Sequence, residues 1–296
     1  MSGLAIIVIQ QLINGLVIGC LYVLVALGLT LIYSILAQIN FAHADFVTLS
    51  AFVAYFAMHE LGAPYLLAAA AAVVAGAIMG LLVNAAIFTP LRRAGDQLTP
   101  LIATIGVSIL MENGELALFG PIPYQFDSPF AALNLHVGRF FFTAQSLLIV
   151  VVAGLAIAAL YGFIRFTAQG KALRAVSQDH ETAGLMGINA NRVLALTVVV
   201  ASALAGLAGA LLGPVLVLTP FAGATVIVKA FAIIVIGGFG NIEGTILAGI
   251  VVGWIESFTT EWLNSSMIDL VVFALLLVIL ALRPTGLIAE RREDNV

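Results

Sequence analysis

The chain has 296 residues, of which 62% are hydrophobic and only 9% charged, and its mean hydropathy is +1.18. Soluble domains carry about 45–50% apolar and about 25% charged residues, so a water-soluble globular fold is excluded and an all-α polytopic membrane protein is implied. The net charge of −4 says little about partners, because in a membrane protein the placement of charge carries the information; no nucleic-acid partner is expected, and the lone Cys20 rules out an intrachain disulfide.

A hydrocarbon core of about 30 Å needs roughly 20 apolar helical residues per crossing. Apolar runs predict crossings near residues 5–33, 45–60, 65–88, 98–120, 145–165, 193–218, 224–238, 245–262 and 268–282, about nine in all within a range of eight to ten. The runs at 45–60 and 224–238 are short and are expected to be half-helices or re-entrant pieces. The first run lacks a basic flank, the first Lys or Arg being Arg92, so it is expected to stay in the mature protein. Lys and Arg in short loops mark the cytoplasmic side. Nine alternating crossings place Arg92, Arg93, Arg165, Lys171, Arg174, Arg192, Arg283, Arg291 and Arg292 on one face, with Arg139 on the other and Lys229 inside a crossing. The N-terminus is therefore expected outside and the C-terminus in the cytoplasm, in one transmembrane domain spanning residues 1–296.

The outer stretch 121–143 is rich in Pro and Phe and can lie across the mouth of the protein. The inner stretch 166–192 is the longest hydrophilic segment, in which Asp179 can cap a short helix and Gly187 can end it in the left-handed conformation. Ala183, Leu185, Met186 and Ile188 would give that helix an apolar side for a partner; the alternative is an ordinary connecting loop. An internal echo aligns residues 40–51, NFAHADFVTLSA, with 238–249, GFGNIEGTILAG, and suggests a parallel repeat of the kind found in transporters built from two related halves.

Three motifs are more specific. The run GKALRAVSQDHETAGLMGIN at 170–189, INFAHADF at 39–46 and GGFGNIEGTILAG at 237–249, followed by RPTGL at 283–287, resemble in order and spacing the permease subunits of ABC importers for branched-chain amino acids and similar small solutes. Ala44 stands where that family commonly has Gly, and Asn241 and Thr245 replace its frequent Ser and Ala. The resemblance covers residues 8–288 and implies that Gly170, Lys171, Arg174, Asp179, Ala183, Gly187 and Ile188 form an ATPase-coupling segment. It further implies two cytoplasmic ATP-binding subunits, a second permease subunit that is either a copy or a related chain, and an extracytoplasmic solute-binding protein. The location it implies is a bacterial inner membrane. Urea, amides and small organic acids join branched-chain amino acids as the solutes it allows.

The polar residues inside crossings are the remaining candidates, since burying them in lipid is costly. Asn40, His43, Glu112, Asn241 and Glu256 are taken as possible lining of a translocation path, with helix pairing as the alternative for Glu112. Lys229 can snorkel to the outer surface or pair with Glu256, and His43 beside Asp45 suits capping or hydrogen bonding better than metal ligation. Four scattered His and one Cys form no metal cluster, and Gly170-Lys171-Ala172 lacks the flanking Gly and Ser/Thr of a phosphate-binding loop. The chain is thus expected to bind no cofactor, to catalyse no covalent step, and to draw on ATP used by partner subunits. An ion-gradient-driven secondary transporter, with Glu112, Glu256 or Lys229 in its ion site, is the rival. The pairs Gly15/Gly19, Gly76/Gly80, Gly209/Gly213 and Gly249/Gly253 put small residues one turn apart and predict close helix packing.

Overall fold

The computed structural model describes residues 3–91, 98–126, 128–137 and 140–288. Eleven α-helices account for most of them: α1 Gly3–Leu36, α2 His43–His59, α3 Tyr65–Val83, α4 Leu98–Phe119, α5 Ala144–Phe166, α6 Ala168–Gln178, α7 His180–Leu185, α8 Ala190–Leu212, α9 Ala222–Gly237, α10 Ile242–Trp262 and α11 Ile268–Leu282. α3 continues through a π-turn at Asn84–Phe88 to Leu91. Strands β1 Asn134–Val137 and β2 Phe140–Thr143 pair antiparallel between α4 and α5.

Among the described residues seven helices are long and apolar enough to cross a membrane: Gly3–Leu36, Tyr65–Leu91, Leu98–Phe119, Ala144–Phe166, Ala190–Leu212, Ile242–Trp262 and Ser265–Leu282. That is the number length and hydropathy establish, against the nine expected. The other two predicted runs are the 17-residue α2 and the 16-residue α9, each about 25 Å long at 1.5 Å per residue. The predicted run at 193–218 overshoots, because α8 stops at Leu212 and residues 213–221 form a loop containing Pro214.

The helices are layered by burial. The most apolar stretch of α1 is 89% buried, as befits a helix apolar on every side, whereas α4 is 17% and α11 11% buried and face outward. Glycine sets the spacing in the centre. A Cβ at Gly253 would strike the Gly15 carbonyl and the Gly19 backbone, and one at Gly15 would meet the Trp254 Cα at 2.7 Å, so α1 and α10 touch backbone to backbone. Gly76 meets the Ser202 carbonyl and the Gly206 backbone, and Gly80 the Ser202 side chain and the Val198 carbonyl, joining α3 to α8. Where lipid supplies no hydrophobic drive for association, such closeness maximises dispersion contacts. Gly209 packs on Val47 of α2, while Gly213 lies against the ring of Phe126 from the loop after α4.

The connections fall into two groups at opposite ends of the bundle. At the first face the N–H of Tyr124 donates to the Leu218 carbonyl at 2.9 Å and Gln10 Nε2 to the Phe141 carbonyl at 2.7 Å. At the second face lie the turn 37–42, the segment 167–189, the turn 238–241 and the tail 283–288. There the N–H groups of Leu287 and Ile288 donate to the carbonyls of Ile236 and Gly237, so the tail supplies the C-terminal cap of α9. Gly238 has φ +104° and a Cβ on it would meet the Ile288 carbonyl at 2.5 Å, which explains the glycines of the 237–240 turn. Both segments of the sequence echo open a helix from this second face. Arg165, Lys171, Arg174, Arg192 and Arg283 also gather there; Arg92, Arg93, Arg139, Arg291 and Arg292 lie outside the described residues.

Candidate functional site

The segment after α5 is built as a rigid elbow. Thr167 ends α5 and starts α6: its hydroxyl donates to the Phe163 carbonyl at 2.6 Å and accepts from the Gly170 N–H at 3.0 Å. α6 folds back so tightly that a Cβ on Gly170 would overlap the carbonyls of Phe163 and Ile164, and the Arg174 guanidinium donates to the Ile164 carbonyl. Leu173 and Val176 form the buried side of α6.

Asp179 then caps α7, Oδ1 accepting from the N–H groups of Glu181 at 2.9 Å and Thr182 at 3.1 Å. The Thr182 hydroxyl on Oδ2, with those N–H groups, holds the Asp179 carboxyl below the usual aspartate range. The helix closes as sequence predicts. Gly187 has φ +83°, its N–H donates to the Gly184 carbonyl and that of Ile188 to the Ala183 carbonyl, the paired bonds of a Schellman motif.

One expectation is corrected. Ala183 and Ile188 do not share an outward apolar side with Leu185 and Met186. Ala183 is 5% exposed and packs with Val176, Ala190, Ile188 and Ile35 of α1. Leu185 and Met186 are 88% and 79% exposed. Gly170, Arg174, Asp179, Ala183, Gly187 and Ile188 therefore shape the segment, Lys171 is exposed beside it, and the apolar surface it displays belongs to Leu185 and Met186.

The intramembrane candidates are not gathered in one place. Asn241 is the N-cap of α10, accepting from the Gly244 N–H at 2.8 Å. His43 is not a cap. It opens α2 with its ring wholly buried over Gly28, where a Cβ would collide with it. Asn40, in the turn before it, is also fully buried. Glu256 pairs with Lys229, whose ammonium lies 2.9 Å from Oε1, 3.0 Å from Oε2 and 2.9 Å from the Tyr22 hydroxyl; Tyr22 in turn donates to Glu256 Oε2 at 2.8 Å. This triad ties the short α9 to α1 and α10, which selects pairing over snorkelling for Lys229.

Further polar bonds run along the same α1–α10 contact: Thr30 to Thr245 at 2.8 Å, Gln11 to Glu261 at 2.8 Å and Ser257 to Gln11 at 2.6 Å. At the first face these last residues, with Asn14, Ser146 and Thr260, line a cavity of about 390 Å³.

Glu112 lies elsewhere, half-buried on α4 where that helix meets α2, within electrostatic reach of Asp45 and Glu115. Sequence reading passed over Glu115 and the side chain of Asp45. The signal was present, since Thr104, Ser108, Glu112 and Glu115 recur at spacings of four, four and three and so share one helix face. Among the described residues no group of His, Cys, Asp or Glu is gathered closely enough to hold a metal ion.

Several apolar helices running between two sets of loops, tied by an inner ion-pair triad, describe a multi-pass membrane protein. Residues 11–280 match the family model described as branched-chain amino acid transport system / permease component, and the chain belongs to that family. It is 33% identical over 301 residues to the high-affinity branched-chain amino acid transport system permease protein LivH of Escherichia coli K12, with 97% of each chain covered. It is 34% identical over 305 residues to the corresponding protein BraD of Pseudomonas aeruginosa, covering 97% of this chain and 98% of that one. A probable branched-chain amino acid transport permease protein LivH of Methanocaldococcus jannaschii is 30% identical over 250 residues, 83% and 79% of the two chains. No solved structure matches.

Proposed function

We propose that this chain is the membrane-spanning permease subunit of an ATP-driven importer of branched-chain amino acids, working with two cytoplasmic ATP-binding subunits, a second permease subunit and an extracytoplasmic solute-binding protein. Family membership supplies the class. The observation that carries the mechanism is the pair Leu185 and Met186, exposed at the C-terminal end of a six-residue helix that its cap, Schellman turn and buried Ala183 hold in place. An apolar knob displayed to water suits a hydrophobic groove on an ATPase subunit. The second face is then cytoplasmic, the N-terminus outside, and the short α2 and α9 complete nine crossings.

ATP binding and hydrolysis in the partners would favour one of two permease arrangements, and the 167–189 elbow passes on that bias because it is fixed to the ends of α5 and α8. The permease itself binds no cofactor and makes or breaks no covalent bond. The rival ion-driven mechanism loses two of its three candidate residues, because Lys229 and Glu256 neutralise each other.

The test is uptake by the reconstituted complex. Leucine uptake should need ATP and survive collapse of the ion gradients, and Leu185→Glu with Met186→Glu should abolish co-purification of the ATPase subunits. Uptake by this chain alone, driven by a pH or Na⁺ gradient, would overturn the reading.

A further inference from the structure

The seam between α2 and α4 holds carboxylates to which no described Lys or Arg is paired. It is registered at its second-face end by the Phe41 N–H on the Thr104 hydroxyl at 3.4 Å and by a hydrogen bond between Asp45 and Ser108. At its first-face end the rings of Phe52 and Phe119 stack at 4.2 Å and 18°, with Phe56 and Tyr124 around them. Between those two ends α4 turns Glu112 and Glu115 toward α2. Glu115 is 3% exposed on a helix that is otherwise mostly exposed, and neither of its oxygens meets a hydrogen-bond donor; Asp45 is 4% exposed and its Oδ2 is likewise unmet.

Lys229 is the one described Lys or Arg in the interior of a helix that runs between the two faces, and Glu256 and Tyr22 already hold it. A buried carboxylate without a partner is costly, so a membrane protein retains one where something else meets it. Among the described residues these carboxylates form no group that could hold a metal ion. A larger organic cation with an apolar body fits better: its ammonium would donate to the carboxylates and its body would lie along the Phe52–Phe119 stack one helical turn beyond Glu115.

We propose that Asp45, Glu112 and Glu115 form an ammonium-recognising station in the translocation path, which selects α-amino acids over urea, amides and organic acids. This rests on the importer reading and names the residues that would recognise its substrate's ammonium.

Two measurements on the assembled transporter test it. The first is modification of Glu115 by the hydrophobic reagent dicyclohexylcarbodiimide, followed by mass spectrometry. A ligand at ten times its dissociation constant leaves about a tenth of the sites open, so L-leucine and isopentylamine should each slow the modification about tenfold. The matching acid without the ammonium, 4-methylpentanoate, should leave the rate unchanged. Equal protection by all three, or by none, would overturn the proposal.

The second is the leucine moved per ATP hydrolysed, which should fall about ten- to a hundredfold in Glu115→Gln, the loss expected of one buried charge-assisted contact. Glu112→Gln, on the half-buried side of the seam, should shift it in the same direction and serves if Glu115→Gln fails to assemble. An unchanged ratio in the assembled variant would also overturn the proposal. If the parent complex takes up no leucine, the importer reading fails, while the modification experiment still decides the ammonium site.

Discussion

Replacing Lys229 by Met should destabilise the protein through the charge it abandons. In the parent, Glu256 accepts two contacts from the ammonium, at 2.9 and 3.0 Å, and one from Tyr22 at 2.8 Å, with the Lys and Glu side chains only 15% and 12% exposed. Lys229→Met leaves the phenol as the sole donor among these. Removing one partner of a buried pair costs about 3–5 kcal/mol, whereas replacing both by neutral groups of similar size is close to neutral. Lys229→Met/Glu256→Gln should thus recover to within about 1 kcal/mol of the parent, giving a coupling energy of about 2 kcal/mol or more. The protein carries its own reporter. Cys20, its single cysteine, is 5% exposed, and a thiol-reactive fluorophore will light up as the bundle opens on heating. At roughly 2 °C per kcal/mol for a chain of this size, Lys229→Met should melt about 6 °C or more below the parent and the double variant within about 2 °C of it. A parent-like melting point for Lys229→Met, or a double variant worse than either single one, would refute the reasoning.

The same melting assay distinguishes two glycines: Gly253→Val, whose new side chain meets the backbone of Gly15 and Gly19, should lose about 1–3 kcal/mol or more, while Gly154→Ala, with open space around it, should melt like the parent. Orientation can be read by labelling intact cells. A cysteine at Ser177 should react only with reagents that enter the cytoplasm and one at the exposed Ala132 with those that do not; reversed labelling would invert the topology. The Asp179 cap has a defined pH sense. Because folding lowers its pKa, its contribution is present above the ordinary aspartate value of about 3.9 and is lost as pH falls through the lower folded value. Protection from hydrogen exchange at residues 181–183, measured relative to the unstructured rate at the same pH, should therefore be high at neutral pH, lower in strong acid, low at neutral pH in Asp179→Ala, and high again in Asp179→Asn, whose amide oxygen can still accept.

Much of this was legible because two strong signals act locally. The lack of charge over long runs dictates helices in lipid, and the capping residues of α7 specify its ends without help from the rest of the chain, so Asp179 and Gly187 were placed correctly. Paired glycines likewise announced close packing, although which helix each would meet was not readable. What failed were questions of facing. Ala183 looked like part of a docking surface because periodicity on a six-residue helix covers less than two turns and cannot tell inside from outside; the decision was made by Ile35 of α1, 148 positions earlier than Ala183. His43, expected to cap or to hydrogen-bond beside Asp45, does not cap its helix; the bare backbone of Gly28 gives its ring a seat. Asn241, assigned to the path, is used by its own helix. Asp45 and Glu115 acquire meaning only when α2 and α4 lie side by side, a contact that neither segment encodes alone.

The α1–α10 contact has a bearing on how the molecule is made. Tyr22 and Glu256 are 234 positions apart, and a ribosome adding roughly 5–20 residues per second needs about ten to fifty seconds to travel between them. During that interval α1 is already in the bilayer, apolar enough to be inserted at once, but with its glycine groove, Tyr22 and Thr30 lacking the helix they are shaped for. The centre of the finished bundle is thus the last part to be assembled. Nascent chains halted before α10 should present that groove to lipid or to the insertion machinery, and quality-control proteases that sample exposed polar groups in the membrane have their longest opportunity there.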